Sequence, residues 1–287
     1  MSTSKQPIII LGMHRSGTTM VTQMLEKLGL FVGDQKDDNN ESTFFYKINK
    51  WAFRVGTSKV DMPANMLLMT DGCKQEVVGG FKYYLSSRKR KEFLGRKYFS
   101  KYKSIEQLDF PWGWKEPQNT FTIDLWKEIF PEAKIIHIYR HPLDTAASFI
   151  KRDAIKRNQF KLTWKKRLKL FFMVAYKYHQ NFTITNLEQG CRVWTEYVHK
   201  ALQVEEAFMG RCISIRYEDF LAAPEGYLKE LATFCELEAN DSQIKEVVSS
   251  IKESRRYAFL KDASCKTYYE QIKNDPLLIR LGYNNIV

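Results

Sequence analysis

The order of apolar and polar positions predicts alternating strands and helices along most of the chain. Residues 8–11 are four consecutive apolar side chains, a run long enough for one buried strand and too short for a helix. The following segment has helical spacing up to Gly29, with apolar side chains at Met20, Val21, Met24, Leu25 and Leu28. The same criteria predict further strands within 110–117, 134–139 and 211–217, and helices over 44–53, 120–130, 143–152, 224–235 and 241–251.

Residues 162–209 are helical in character, and we predict two helices that are broken near Gly190. An apolar stripe in this region consists of Trp164, Leu168, Phe171, Phe172 and Ala175. We expect it to pack in the core, in preference to docking on a membrane surface. The tail over 266–284 shows no clear period.

Strands that alternate with helices are typical of an α/β fold. We predict one P-loop-like α/β domain over residues 1–287, with a central, mostly parallel sheet flanked by helices. Residues 55–105 and 155–210 are predicted to be helical insertions into it.

Composition indicates an ordinary soluble globular protein. Of the 287 residues, 44% are hydrophobic and 27% are charged. Five scattered cysteines without a C-x-x-C pair argue against a disulfide scaffold or a zinc site and fit a reducing compartment. The first residues lack an apolar signal core, and no apolar run approaches the roughly 20 residues needed to span a bilayer. We therefore expect a cytoplasmic protein.

The net charge of +12 is concentrated in two segments. Residues 88–103 carry +7 and residues 151–169 carry +8, which leaves −3 for the rest of the chain. Both segments are candidates for facing an anionic partner, including peripheral contact with a membrane, and both could equally be solvated helix faces. No nucleic-acid motif is recognisable, so no nucleic-acid partner is expected.

The loop between the first strand and helix carries the first chemical signal. Residues 12–17 have the G-x-x-x-x-G frame whose backbone N–H groups, with a helix N-terminus, cradle a phosphate. Nucleoside triphosphatases place a lysine after the second glycine, and this chain has Thr18 there. The nearby cation is Arg15, inside the loop. We therefore expect an anion site that does not hold a triphosphate.

A second turn of the same kind follows the strand over 134–139, where Arg140 precedes a helix that carries Ser148. If the two strands are neighbours, both turns lie side by side at the carboxyl edge of the sheet. Each offers an arginine and a hydroxyl near a helix N-terminus, as a phosphate requires. Two such sites suggest a nucleotide with phosphates at two positions on its sugar.

Four segments, in order from about residue 7 to 224, resemble motifs of the sulfotransferases. GMHRSGTT is similar to their 5′-phosphosulfate loop, and IYRHPLDTAASF to their 3′-phosphate motif. WGWKEP resembles the Lys-Asp-Pro segment of the bacterial and tyrosylprotein branch, with Glu116 replacing the aspartate, and IRYEDFLAAP resembles a strand end that touches the nucleotide. The resemblance implies transfer of a sulfuryl group from 3′-phosphoadenosine-5′-phosphosulfate to a hydroxyl or amine, without a metal.

The resemblance also implies roles for individual residues. The 5′-phosphosulfate end would be held by Arg15, Ser16, Gly17, Thr18 and Thr19. The 3′-phosphate would be bound by Arg140, Ser148, Arg152 and Tyr217. Arg15 would neutralise the charge that grows during transfer, and Lys115 would assist from the other side.

The acceptor must lose a proton, so a general base is expected. Glu41 is the first candidate, because the resembling enzymes place a glutamate after the first helix. Asp34, Asp37, Asp38 and His14 remain alternatives.

The C-terminal part departs from the small-molecule branch of the family. The Arg-Lys-Gly loop of that branch is absent, and its only local analogue is the run Ser254, Arg255 and Arg256. His137 and His141 are interpreted as structural, not as a metal pair. The basic segments favour an anionic acceptor such as an acidic saccharide, glycolipid or peptide.

Two other functions compete with this interpretation. A P-loop kinase or nucleotide hydrolase conflicts with the missing lysine. A non-catalytic basic protein on nucleic acid or membrane leaves the paired arginine turns unexplained.

Overall fold

A computed structural model describes residues 4–158, 163–172, 184–251 and 253–286 of the chain. Its four strands form one parallel sheet in the order β2-β1-β3-β4. Their bounds are Ile8–Leu11 (β1), Gly113–Lys115 (β2), Lys134–Tyr139 (β3) and Cys212–Arg216 (β4). The predicted parallel sheet is thus confirmed, and β1 and β3 are neighbours, with Leu11 paired to His137.

Thirteen α-helices surround this sheet in the described residues. The first seven are Thr18–Lys27 (α1), Thr43–Val55 (α2), Asp71–Ser86 (α3), Lys91–Phe99 (α4), Asn119–Lys127 (α5), Pro142–Asn158 (α6) and Trp164–Phe171 (α7). The remaining six are Leu187–Ala207 (α8), Tyr217–Ala222 (α9), Pro224–Phe234 (α10), Asp241–Val248 (α11), Ala263–Ile272 (α12) and Pro276–Arg280 (α13).

Both faces of the sheet are buried, as the unbroken apolar runs of a parallel sheet require. Ile9 and Leu11 point into one core cluster, while Ile8 and Ile10 point into a second cluster on the opposite face. The first cluster is rich in aromatic rings, and Phe45 of α2 stacks on Trp114 of β2 with ring centroids 3.9 Å apart. This packing fixes the end of the short strand that carries Lys115.

Two sequence expectations are wrong. Gly190 lies inside α8 and does not break it, because a side-chain carbon there would come within 2.5 Å of the Cβ of Ala146 in α6, so the glycine serves close packing of two helices. The apolar stripe at 164–172 does not pack in the core, and no residue of α7 is buried. Ala175, the last member of that stripe, lies outside the described residues.

None of the helices in the described part of the chain is both long enough and apolar enough to cross a membrane.

Candidate active site

The turn between β1 and α1 is shaped by three residues with left-handed backbone. Gly12, Arg15 and Gly17 have φ angles of 140°, 73° and 102°. A Cβ at Gly12 would lie 2.2 Å from the carbonyl oxygen of Ile138, and one at Gly17 would lie 2.3 Å from the ring of Tyr217. The glycines therefore admit close neighbours that any side chain would exclude. The first amides of α1, which have no partner within the helix, are left facing the turn as an anion site.

The second predicted turn lies beside the first one. Arg140 follows β3, and Ser148 lies two turns into α6. The Arg15 Nε–H donates to Ser148 Oγ at 2.9 Å, so the two turns are joined directly. This contact follows from the pairing of β1 with β3, which sets both turns at the carboxyl edge of the sheet.

Four arginines line one cavity of about 430 Å³ at this edge, namely Arg15, Arg140, Arg152 and Arg255. Arg140 pairs with Asp144 at 3.1 Å and Arg152 with Asp153 at 2.9 Å. Arg15 and Arg255 form no ion pair with a carboxylate of the described residues. Burial, followed by the charges of Arg152 and Arg140, lowers the pKa of Arg15. Two of the four arginines thus lack a matching carboxylate among the residues that the structure describes, and this surplus of positive charge favours an anionic ligand in the cavity.

Tyr217 closes one wall of this cavity. Its ring lies against Gly17, and the guanidinium of Arg140 sits over it, 4.8 Å from the ring centroid. Tyr217 is the first residue of α9, directly after β4, so its position also derives from the carboxyl edge of the sheet.

A buried ion pair forms the opposite wall. Lys115, at the end of β2, is 1% exposed, and its Nζ lies 3.1 Å from Glu41 Oε1 and 3.3 Å from Thr19 Oγ1. Burial raises the pKa of Glu41, and the Lys115 ammonium opposes that rise. Lys115 and Glu41 both line the cavity, as the loop residues do.

The segment after α1 folds back onto the loop and brings Glu41 to it. The carbonyl oxygen of Asn39 accepts from Thr19 Oγ1 at 3.0 Å and from Lys115 Nζ at 2.6 Å. Asp37 holds this bend, because its carboxylate accepts the backbone N–H groups of Asn39 and Glu41 at 2.9 and 2.8 Å.

Of the four acidic candidates for the general base, Glu41 is the one that lines the cavity. Asp34 and Asp38 are exposed, and Asp34 lies at α4, where its backbone N–H donates to the carbonyl of Phe93 at 2.8 Å. The alternative base His14 also lines the cavity, with its ring edge-on to Phe149 at 5.9 Å.

The C-terminal segment supplies part of the cavity lining, including Arg255 from the run that the sequence offered as the only analogue of the Arg-Lys-Gly loop. The Arg140 guanidinium donates to the carbonyl oxygen of Arg255 at 2.9 Å. The carboxylate of Asp144 accepts the backbone N–H groups of Ala258 and Phe259 at 3.2 and 2.7 Å, which holds the segment against α6. Ser250 and Ile251 line the cavity as well. Sequence reasoning missed both, and nothing in their local pattern marks them.

A buried polar network supports Lys115 from below. Its neighbour Glu116 is fully buried and accepts from Asn49 Nδ2 at 2.8 Å. Asn49 also donates to Asn119, which accepts the Trp114 Nε1–H at 2.9 Å. Burial, and then the charge of Glu41, raise the pKa of Glu116 to about 8. The sequence held a signal for this network, since Asn49 interrupts the apolar face of α2.

His137 and His141, the two histidines interpreted as structural, both have partners in the fold. His137 Nδ1 lies 3.1 Å from Glu205 Oε1, and His141 stacks on Phe259 with ring centroids 4.1 Å apart. Burial lowers the pKa of His141 to about 3. No group of three His, Cys, Asp or Glu side chains suited to a metal ion occurs among the described residues.

Known proteins resemble this chain over most of its length. An uncharacterised protein of Aquifex aeolicus (strain VF5) is 26% identical over 247 residues, which cover 83% of this chain. The match spans only 26% of that relative's length.

Among solved structures, two sulfotransferases illustrate the likeness of fold. A sulfotransferase from Alicyclobacillus acidocaldarius superposes with a TM-score of 0.50 at 12% identity, covering 99% of this chain and 98% of that one. The sulfotransferase domain of the olefin synthase of Synechococcus PCC 7002 gives a TM-score of 0.46 at 16% identity, covering 100% of this chain and 90% of that one. The likeness to the Alicyclobacillus protein supports the α/β fold and, at 12% identity, no finer property.

The sequence profile of the sulfotransferase family matches residues 7–241, which include β1, the loop after it, β2, β3 and β4. The chain belongs to the sulfotransferase family.

Proposed function

We propose that the arginine-lined cavity binds 3′-phosphoadenosine-5′-phosphosulfate and that the protein transfers its sulfuryl group to a hydroxyl or amine acceptor. The observation that carries this proposal is the hydrogen bond from Arg15 to Ser148, at 2.9 Å, which joins the two arginine-bearing turns at the edge of one cavity. A nucleotide with phosphates on the 5′ and 3′ positions has the two charges that such a pair of turns would take. The cytoplasmic location and the single domain over 1–287 remain predictions from the sequence.

Under this proposal the two turns divide the nucleotide between them. The loop from Arg15 to Thr19 would hold the 5′-phosphate and the sulfuryl group, while Arg140, Ser148 and Arg152 would hold the 3′-phosphate. Tyr217 would lie between the two, because its ring contacts both Gly17 and Arg140.

The ion pair of Lys115 with Glu41, on the opposite wall, would supply two of the groups that sulfuryl transfer requires. In the transfer, a bond forms between the acceptor oxygen and sulfur while the bond from sulfur to the 5′-phosphate oxygen breaks. Arg15 and Lys115 would neutralise the charge that moves onto the leaving phosphate. Glu41 would take the acceptor's proton, and its raised pKa makes it a stronger base than an exposed carboxylate.

Ligand binding tests the proposal against its competitors. Thermal unfolding should be measured with adenosine 3′,5′-bisphosphate and, separately, with ATP and magnesium. A ligand at about a hundred times its dissociation constant adds about 2.7 kcal/mol to the free energy of unfolding. The bisphosphate should give the larger shift, Arg140→Ala should reduce it, and Arg192→Ala, which removes an exposed arginine paired with Glu196, should not. No shift with the bisphosphate, or a larger one with ATP, contradicts the proposal.

Activity measurements test the separate roles. Arg15→Ala and Lys115→Met should remove most of the turnover rate, while Arg140→Ala should chiefly raise the donor KM. Glu41→Gln keeps the shape of the side chain and removes the base, so it should lower the turnover rate while leaving bisphosphate binding nearly unchanged. Turnover that survives Arg15→Ala refutes the catalytic assignment.

A further inference from the structure

Helix α7 presents large apolar side chains to solvent. Trp164, Leu168 and Phe171 recur at steps of four and three residues and therefore lie on one face of the helix. Their exposed fractions are 67%, 46% and 78%, and Phe172, the next residue along the chain, is 67% exposed. Contiguous exposed apolar surface of this kind marks an interaction site.

The charges of the same helix select the kind of partner. Between Trp164 and Phe171 the chain has four cations and no acid, namely Lys165, Lys166, Arg167 and Lys169. At about 100° per residue, Lys165 and Arg167 fall on either side of the apolar face. Their long side chains can extend past that face while their charges stay in water.

We propose that α7 is an interfacial helix that docks the protein on an anionic lipid bilayer, with Trp164, Leu168 and Phe171 inserted among the acyl chains. A bilayer with anionic headgroups offers, at one surface, both the apolar layer that the exposed rings need and the negative charge that the flanking cations need. This proposal does not depend on the proposed sulfotransferase reaction.

Other occupants satisfy only half of this surface. A nucleic-acid backbone would engage the cations and leave the three apolar side chains in water. A second copy of the chain would bring two helices of charge +4 into contact, which repel each other. A lipid surface is therefore the partner that the residues favour.

Vesicle flotation with the 287-residue chain tests the proposal. The protein should float with mixed phosphatidylcholine–phosphatidylserine vesicles and much less with phosphatidylcholine alone, and salt should weaken the binding. The double variant Trp164→Ser/Phe171→Ser should lower the vesicle partition coefficient about tenfold or more. The matched control Leu68→Ser/Met209→Ser removes two side chains that are 80% and 86% exposed elsewhere, and it should bind as the wild type does.

A second measurement reports insertion directly. Brominated lipids should quench the fluorescence of the wild type more than that of Trp164→Phe, because the bromine atoms lie at the depth where Trp164 would sit. Neither Trp164→Ser/Phe171→Ser nor Trp164→Phe should change the melting temperature, since α7 buries no residue.

Several results would overturn the proposal. They are failure to float with phosphatidylserine vesicles, equal loss of binding in the Leu68/Met209 control, and equal quenching of the wild type and Trp164→Phe. A dimer of the free protein that Trp164→Ser/Phe171→Ser dissociates, together with no vesicle binding, would assign the surface to self-association instead.

Discussion

Removal of the Asn49 side chain should destabilise the protein more than a typical single substitution. Asn49 is fully buried, and its amide donates to Glu116 Oε2 at 2.8 Å and to Asn119 Oδ1 at 2.7 Å. Its oxygen accepts from Thr122 Oγ1 at 3.0 Å and from Trp126 Nε1 at 2.9 Å. One side chain thus ties α2 to α5 and to the residue that directly follows β2.

The magnitude follows from what Asn49→Ala leaves behind. The Trp126 N–H loses its acceptor and the Glu116 carboxyl loses its side-chain donor, while Thr122 keeps a bond to the Gln118 carbonyl at 3.3 Å. Each buried polar group without a partner costs about 1–3 kcal/mol. We therefore expect a loss of about 4 kcal/mol, a large part of the ~5–15 kcal/mol that stabilises most domains.

Urea unfolding at neutral pH measures this loss as a shift of the midpoint at constant slope. Asn240→Ala is the matched control, because Asn240 caps α11 through one bond, accepting from the Gln243 N–H at 2.9 Å, and a lost cap costs about 1 kcal/mol. If Asn49→Ala destabilises the protein no more than Asn240→Ala does, the buried network is not paired as described.

Three further predictions concern the site and its supports. Burial, and then the charge of Glu41, raise the pKa of Glu116 to about 8, so its contribution to stability is complete below its ordinary pKa and is lost as the pH rises through about 8. Urea unfolding across that pH interval should therefore show a flatter pH dependence of stability for Glu116→Gln than for the wild type. An equal pH dependence in the two proteins would contradict this. Gly17→Ala sets a methyl group 2.3 Å from the Tyr217 ring and should weaken bisphosphate binding about tenfold or more in calorimetry, whereas Gly29→Ala, at a similar φ with no atom within 4 Å, should not. Asp144→Ala removes the acceptor of two backbone N–H groups and should speed tryptic cleavage of the C-terminal segment that this carboxylate holds; an unchanged cleavage rate would mean that other contacts hold it.

The parts of the site on the sheet edge were predictable from sequence. Arg15, Lys115 and Arg140 each follow an apolar run, and parallel strands bring their carboxyl ends to one edge. Local pattern therefore located them, and the family match over residues 7–241 agrees with the order of the motifs.

The remaining parts depend on contacts between distant segments. The Asn39 carbonyl reaches Lys115 across 76 residues, and Arg140 reaches the Arg255 carbonyl across 115. No local period encodes such contacts. The stripe of α7 shows a different limit, because apolar spacing predicts which side chains share a helix face and does not determine whether the protein covers that face.

The crowding of arginines in the cavity has a kinetic consequence under the proposed reaction. The sulfuryl group leaves with the acceptor, while the spent nucleotide keeps both phosphates and hence nearly every contact with Arg15, Arg140, Arg152 and Arg255. The cluster would then hold the spent nucleotide about as firmly as it holds the donor. Departure of that nucleotide, and not the transfer itself, would set the pace of the cycle. Because salt screens such contacts, moderate ionic strength should accelerate multiple turnovers while leaving the first turnover nearly unchanged.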